Sequence, residues 1–184
     1  MNSLGFPATS PDVSFTLILP ELIVSVAGVL VMLVDAFTRR RDERWITGTI
    51  SLAGLAAAAA ACFWLWDAPG LRREAFNGMV VLDSMRLSFT LVFILIAALT
   101  VLVSMIWMEW ERLPAGEFHT LLLFATVGMM LMASGGDLVV IFLGLELLSI
   151  ATYVMAGFRK TDLRSNESSM KYFILGSFSS AFLL

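Results

Sequence analysis

The chain has 184 residues, of which 59% are hydrophobic and only 15% charged, and its mean hydropathy is +0.87. A soluble domain of this length carries about 25% charged residues and few long apolar runs, so the composition excludes an ordinary water-soluble globule. A net charge of −3 without a basic stripe argues against a nucleic-acid partner, and the single Cys62 leaves no disulfide framework or cysteine metal cluster.

A helix crosses a bilayer with about 20 mostly apolar residues, because the hydrocarbon core is about 30 Å thick and each residue rises about 1.5 Å. By that measure the expected fold is all-α, a polytopic membrane helix bundle of about six transmembrane helices forming a single membrane domain over 1–184. The stretch Met1 to Ser14 has no Lys or Arg and so lacks the basic start of a signal peptide, and the first apolar segment is expected to remain as a span. The first span is predicted over 15–37, followed by the charged connection Thr38 to Arg44. The second covers 46–66 around the alanine run Ala56 to Ala61, whose small side chains admit a close neighbour. A longer connection holds Pro69-Gly70, Arg72-Arg73 and the apolar Met79 to Leu82, expected at the interface. The third span covers 86–108 and ends at the interfacial anchors Trp107 and Trp110. The fourth, fifth and sixth are predicted over 117–134, 137–157 and 166–184. The last apolar stretch, Phe178 to Leu184, carries no flanking charge, which points to the N-terminal piece of a longer membrane protein.

Loop charge orients the bundle. Connections after the first, third and fifth spans hold Arg39, Arg40, Arg41, Arg44, Arg112, Arg159, Lys160 and Arg164. The other side holds Arg72 and Arg73, with Arg86 at the membrane edge. The excess of Lys and Arg marks the cytoplasmic side, which puts the N-terminus outside.

Three ionisable residues at or near membrane depth carry the functional argument. Glu146, in Phe142-Leu143-Gly144-Leu145-Glu146-Leu147-Leu148-Ser149, falls roughly 13 to 16 Å from either end of its span, near the midplane. An acid there costs a few kcal/mol on insertion scales and should face a partner or water rather than lipid. Burial and a nearby cation act on its proton affinity with opposite sign, so it can be poised to exchange a proton. Ser149 and Tyr153 share its face at i+3 and i+7. The structural alternative is a protonated acid hydrogen-bonded to a neighbouring helix.

Lys171 is expected one to two turns into the sixth helix, which is predicted to start near Ser165 or Asn166 with Glu167 in its first turn. Glu146 should lie some 8 Å deeper on the adjacent antiparallel helix, close enough for a relay. The competing arrangement is local, an i to i+4 pair of Glu167 with Lys171. Glu21, after Pro20, sits early in the first span, where an acid often only complements the helix dipole. Asp35 and Asp83 fall at span edges, and His119 opens the fourth span, an ordinary place for a solvated or capping histidine with proton handling as the sharper alternative. No Gly-rich phosphate loop, metal-spaced Cys or His pair, or Ser/His/Asp set is present, and the eleven Met and fourteen Phe read as lipid-facing or packing residues.

Three stretches together carry a resemblance. They are Leu19-Pro20-Glu21-Leu22, the segment Leu121 to Ser134, and Phe142-Leu143-Gly144-Leu145-Glu146-Leu147-Leu148-Ser149, which continues through Tyr153 to Lys171-Tyr172-Phe173-Ile174-Leu175-Gly176. They closely resemble subunit N of the proton-pumping NADH–quinone oxidoreductase (respiratory complex I; the mitochondrial subunit 2 family). That family's polypeptide has fourteen helices, of which this chain would supply the first six as an antiporter-like subunit fragment. The resemblance implies that Glu146 and Lys171 belong to a proton path, with Glu21, Ser149, Tyr153 and His119 as further candidates. It also implies that NADH, FMN, iron–sulfur clusters and quinone are bound by other subunits, and that the partners are those membrane and peripheral subunits and the lipid bilayer of a cell inner membrane. The competing readings are a subunit of a multisubunit cation/proton antiporter and a membrane scaffold.

The loop-charge argument is tested by reporter fusions in the membrane-inserted protein. A reporter near Arg41 or Arg164 should read cytoplasmic and one near Arg72 periplasmic; the inverse pattern would overturn the orientation.

Overall fold

The computed structural model describes residues 15–37, 44–66, 73–111 and 113–183. The N-terminal stretch 1–14, the charged connection 38–43 with Arg39, Arg40 and Arg41, the segment 67–72 with Pro69, Gly70 and Arg72, and Arg112 and Leu184 lie outside the described residues. A 3-10 turn, Phe15–Ile18, leads into α1 (Leu19–Phe37), with Pro20 in its first turn, where no intrahelical N–H is required of it. Then come α2 (Arg44–Trp66), a hairpin of β1 (Arg73–Ala75) and β2 (Val80–Leu82), and α3 (Ser84–Glu111). The remainder is α4 (Ala115–Ser134), α5 (Leu138–Ala156) and α6 (Leu163–Leu183). The all-α, polytopic architecture is the one expected from sequence.

The first five helices are long and apolar enough to cross a membrane. The sixth is a 21-residue helix whose first half carries Arg164, Asn166, Glu167 and Lys171, which shortens its apolar stretch to roughly the second half. It starts earlier than predicted, at Leu163, because Asp162 rather than Ser165 or Asn166 caps it, accepting from the Arg164 N–H at 3.0 Å. Glu167 therefore lies beyond the first turn.

Consecutive helices pack antiparallel on one another, and α4 lies at the centre of the bundle, against α1, α2, α3 and α5. The common core joins Val24 and Val31 of α1, Leu55, Ala58 and Cys62 of α2, Leu87, Ile94 and Val101 of α3, and Leu123, Val127 and Met130 of α4. The opposite face of α3, with Leu95, Leu99, Val103 and Ile106, is exposed, as a lipid-facing surface must be. Most hydroxyls in the spans bond back to their own helix: Ser25 to the Glu21 carbonyl, Ser51 to Thr47, Thr100 to Ile96, Thr126 to Leu122.

The apolar Met79 to Leu82 stretch does not simply lie along the interface. Val80 to Leu82 pair antiparallel with Arg73 to Ala75, and the turn between them places Phe76, Asn77 and Gly78 at positive φ (55°, 58° and 85°). The Gly136 N–H donates to the Met79 carbonyl at 2.9 Å, which fastens the hairpin to the α4–α5 connection.

The α4–α5 crossing depends on two glycines. A Cβ on Gly128 would come 2.7 Å from the Gly144 carbonyl oxygen and from the Leu148 N, and one on Gly144 would come 2.7 Å from the Gly128 carbonyl oxygen. Backbone meets backbone there, so no side-chain rotation can make room. Gly128→Ala and Gly144→Ala should each destabilise the detergent-extracted protein by about 1–3 kcal/mol, the usual range for overpacking. Gly28→Ala, whose new Cβ would meet Phe124 at an ordinary 3.5 Å, should be neutral or slightly stabilising. Thermal unfolding of the three variants checks the contrast.

Candidate functional site

Because Gly144, Leu148 and Ala151 face α4, the opposite side of α5, carrying Glu146, Ser149 and Tyr153, is turned towards α6. Tyr153 anchors that seam. Its ring meets Phe173 edge-on at 6.2 Å, its hydroxyl lies over Gly176, and its carbonyl accepts from Ser169 Oγ at 2.8 Å. Ser165 Oγ donates to the Ala156 carbonyl at 2.8 Å, and Gly157 lies against Ser169. Glu146, partly buried in the middle of this helix, has a buried Oε1 without a hydrogen-bond partner among the described residues.

These contacts bring the later part of α5 against the earlier part of α6, Tyr153 meeting Ser169 through its carbonyl and Phe173 and Gly176 through its ring, and Ala156 meeting Ser165. Glu146, about 10 Å before Tyr153 along α5, is level with the later part of α6. Among the described residues Glu146 and Lys171 are not bonded to each other. Lys171 Nζ instead pairs with Glu167 Oε1 at 2.6 Å, the local i to i+4 arrangement, with both side chains largely exposed. Ser180, one turn beyond Gly176, is partly buried in that later part of α6. Sequence reading passed over Ser180 because a lone serine in an apolar helix carries no signal until the register is known.

The second polar site is at the end of the bundle where α1 and α3 begin. Glu21 is not a solvated first-turn acid: it is buried and paired with Arg86, Oε1 to Nη2 at 2.7 Å. Arg86, counted from sequence as a membrane-edge charge, is 2% exposed. Its guanidinium also donates to the Leu17 carbonyl at 2.8 Å and the Val81 carbonyl at 3.1 Å, tying the 3-10 turn and β2 to α3. Asp83 caps α3 by accepting from the Arg86 N–H at 2.7 Å. The pairing was legible in principle, since α1 and α3 both start on the same side and each carries one charge in its first turn.

The third site is at the opposite end, where α4 begins. His119 is not solvated at the helix start but fully buried between α2 and α3. Its Nε2 is 2.9 Å from Ser104 Oγ and its Nδ1 3.4 Å from Thr47 Oγ1. Ser104 already donates to the Val101 carbonyl, so the inventory assigns the ring proton to Nε2, donating to Ser104, and leaves Nδ1 as acceptor. Asp35, at the end of α1, lies against Gly116 in the first turn of α4. Nearby, Arg159 pairs with Glu111, and Lys160 with Glu117 at 3.3 Å, on the exposed surface.

The fold and these sites define a multi-pass α-helical membrane protein with ionisable groups held at both ends and in the middle of the bundle. Comparison with known proteins gives the class a family. Residues 135–184 match the family described as NADH:quinone oxidoreductase/Mrp antiporter, transmembrane. The chain is 43% identical over 172 residues to NADH-quinone oxidoreductase subunit N of Trichlorobacter lovleyi, covering 94% of this chain and 34% of that protein. It is 44% identical over 173 residues to subunit N 1 of Koribacter versatilis, covering 90% and 34%. With NAD(P)H-quinone oxidoreductase subunit 2 of a Nostoc species it shares 39% over 167 residues, covering 91% and 32%. The chain belongs to the subunit N family, of which it represents the N-terminal portion, and it spans about a third of the length of these relatives.

The Glu21–Arg86 ion pair can be tested by what is left behind. Arg86→Met should cost about 3–5 kcal/mol, because it leaves the Glu21 carboxylate buried without its cation. A Glu21→Leu/Arg86→Met double variant should recover much of that loss in thermal unfolding; equal losses would mean the charge pair itself is not what Arg86 supports.

Proposed function

We propose that this chain is the N-terminal part of a proton-translocating membrane subunit of an NADH–quinone oxidoreductase. In this reading electron transfer from NADH through FMN and iron–sulfur clusters to quinone takes place in other subunits. The energy released there drives protons across the membrane that this bundle spans. The observation that carries the proposal is the Glu146 carboxylate, mid-span, with a buried oxygen that has no partner among the described residues. The names of the relatives support it and favour it over a cation/proton antiporter subunit.

Glu146 is the group that takes up and releases a proton, and the α5–α6 seam is the route to it. Two unit charges about 10–15 Å apart interact by only about 1–2 kcal/mol at an effective dielectric of about 20, against about 4 kcal/mol at 4 Å. Lys171 in its Glu167-bound position therefore acts on Glu146 weakly. Movement of the ammonium from Glu167 into the seam strengthens that effect, which makes Lys171 a gate charge at the inner end. A proton crossing the gap moves in hydrogen-bonded steps of about 2.8 Å, and Tyr153, Ser149 and Ser180 supply hydroxyls for them. Glu21 and His119 remain further members of the path in this reading. The partners are the other membrane and peripheral subunits, and the N-terminus lies on the periplasmic side of a cell inner membrane.

In the assembled complex, Glu146→Ala should lose most NADH-driven proton pumping while assembly survives, and Glu146→Asp should keep part of it. Lys171→Ala should impair pumping and Lys171→Arg retain most of it, because a gate needs charge and not proton exchange. Normal coupled pumping in Glu146→Ala would remove Glu146 from the path. Arginine failing as badly as alanine would make Lys171 a proton carrier instead.

A further inference from the structure

Where α1 and α3 begin, three polar atoms are buried with no partner among the described residues: Glu21 Oε2, Arg86 Nε and Thr90 Oγ1. Their residues are 3%, 2% and 1% exposed. They belong together. Glu21 and Arg86 are already joined through Oε1 and Nη2 at 2.7 Å, and Thr90 follows Arg86 by one helical turn on the same face, where side chains stand about 5–6 Å apart at Cβ.

The two charged groups would ordinarily satisfy Oε2 and Nε by meeting side-on, in two parallel bonds. Here the guanidinium is held by backbone on both sides. Nη1 is committed to the Val81 carbonyl and Nη2 to the Leu17 carbonyl, so swinging Nε onto the carboxylate would break bonds to β2 and to the 3-10 turn. A buried polar group left unmatched costs on the order of 1–3 kcal/mol, and the usual remedy is a water with two to four polar partners.

We infer that Glu21, Arg86 and Thr90 form a binding site for one ordered water. A single molecule answers all three atoms. The Nε–H and the Thr90 hydroxyl donate to the water oxygen, and one water proton goes to Glu21 Oε2. A small cation does not fit the same place, because the guanidinium supplies positive charge there already. The site follows from geometry alone and does not rest on the proton-translocation reading.

The test is a map of the intact assembly fine enough to show single waters. One peak is expected within hydrogen-bond distance of all three atoms. It should persist in Thr90→Ser and be lost or displaced in Thr90→Val. A map in which Glu21 and Arg86 meet side-on with no peak between them overturns the site. So does a peak that stays unmoved in Thr90→Val. Should Thr90→Val fail to assemble, the wild-type and Thr90→Ser maps decide the question by themselves.

Discussion

The close crossing of α4 and α5 at Gly128 and Gly144 governs what the rest of the bundle can do. With no side chain between the two backbones, one face of α5 is committed to α4. Every residue half a turn away is then directed to α6, and Glu146 is one of them. In lipid no hydrophobic force draws helices together, so close van der Waals approach of small residues has to hold the pair. The position of the midplane carboxylate is thus a product of two absent methyl groups.

The three ionisable sites differ in how their charge is accommodated, and the differences follow depth. Where α1 and α3 begin, Glu21 has a full cation and Arg86 two backbone carbonyls besides. That arrangement fixes an element boundary and resists change. At the start of α4 both ring nitrogens of His119 face hydroxyls. Glu21 and Glu146 each keep one unmatched oxygen, but the Glu21 carboxylate is held by Arg86 through the other, whereas Glu146 has no ion pair among the described residues. The α5–α6 seam also holds groups that can rearrange, a tyrosine hydroxyl, serines and a lysine held by a local acid.

Much of this was readable from the chain. Span lengths follow from apolar run length, and midplane depth picks out Glu146 without any structure. The register of α5 against α6 was not readable, since the length of a connection does not reveal where two helices begin to touch. Tyr153 over Gly176 and Ser169 on the Tyr153 carbonyl set it, and Lys171 pairs with Glu167 within its own helix. Arg86 was misplaced for a related reason: first-turn residues look interfacial in sequence, and only the docked hairpin and 3-10 turn bury this one. The hairpin itself was legible. Asn77-Gly78 between short β-prone runs is a strong local turn signal, but it lay inside a stretch judged by hydropathy alone. His119 was underestimated because a helix start in a bundle can be deep when neighbouring helices extend past it.

The hydroxyls that bond back to their own helix carry a consequence of another kind. A serine or threonine whose proton is spent on the carbonyl one turn earlier presents mainly methyl and methylene surface to its surroundings. Ser25, Thr100 and Thr126 are, to lipid and to neighbours, nearly aliphatic. The polarity of a span counted by residue type therefore overstates its wetness, and a drift of such positions between serine, threonine and alanine would leave the bilayer's view of the protein almost unaltered. Thr90 and Thr120, whose buried hydroxyls make no such return bond, are the ones whose chemistry the interior has to answer.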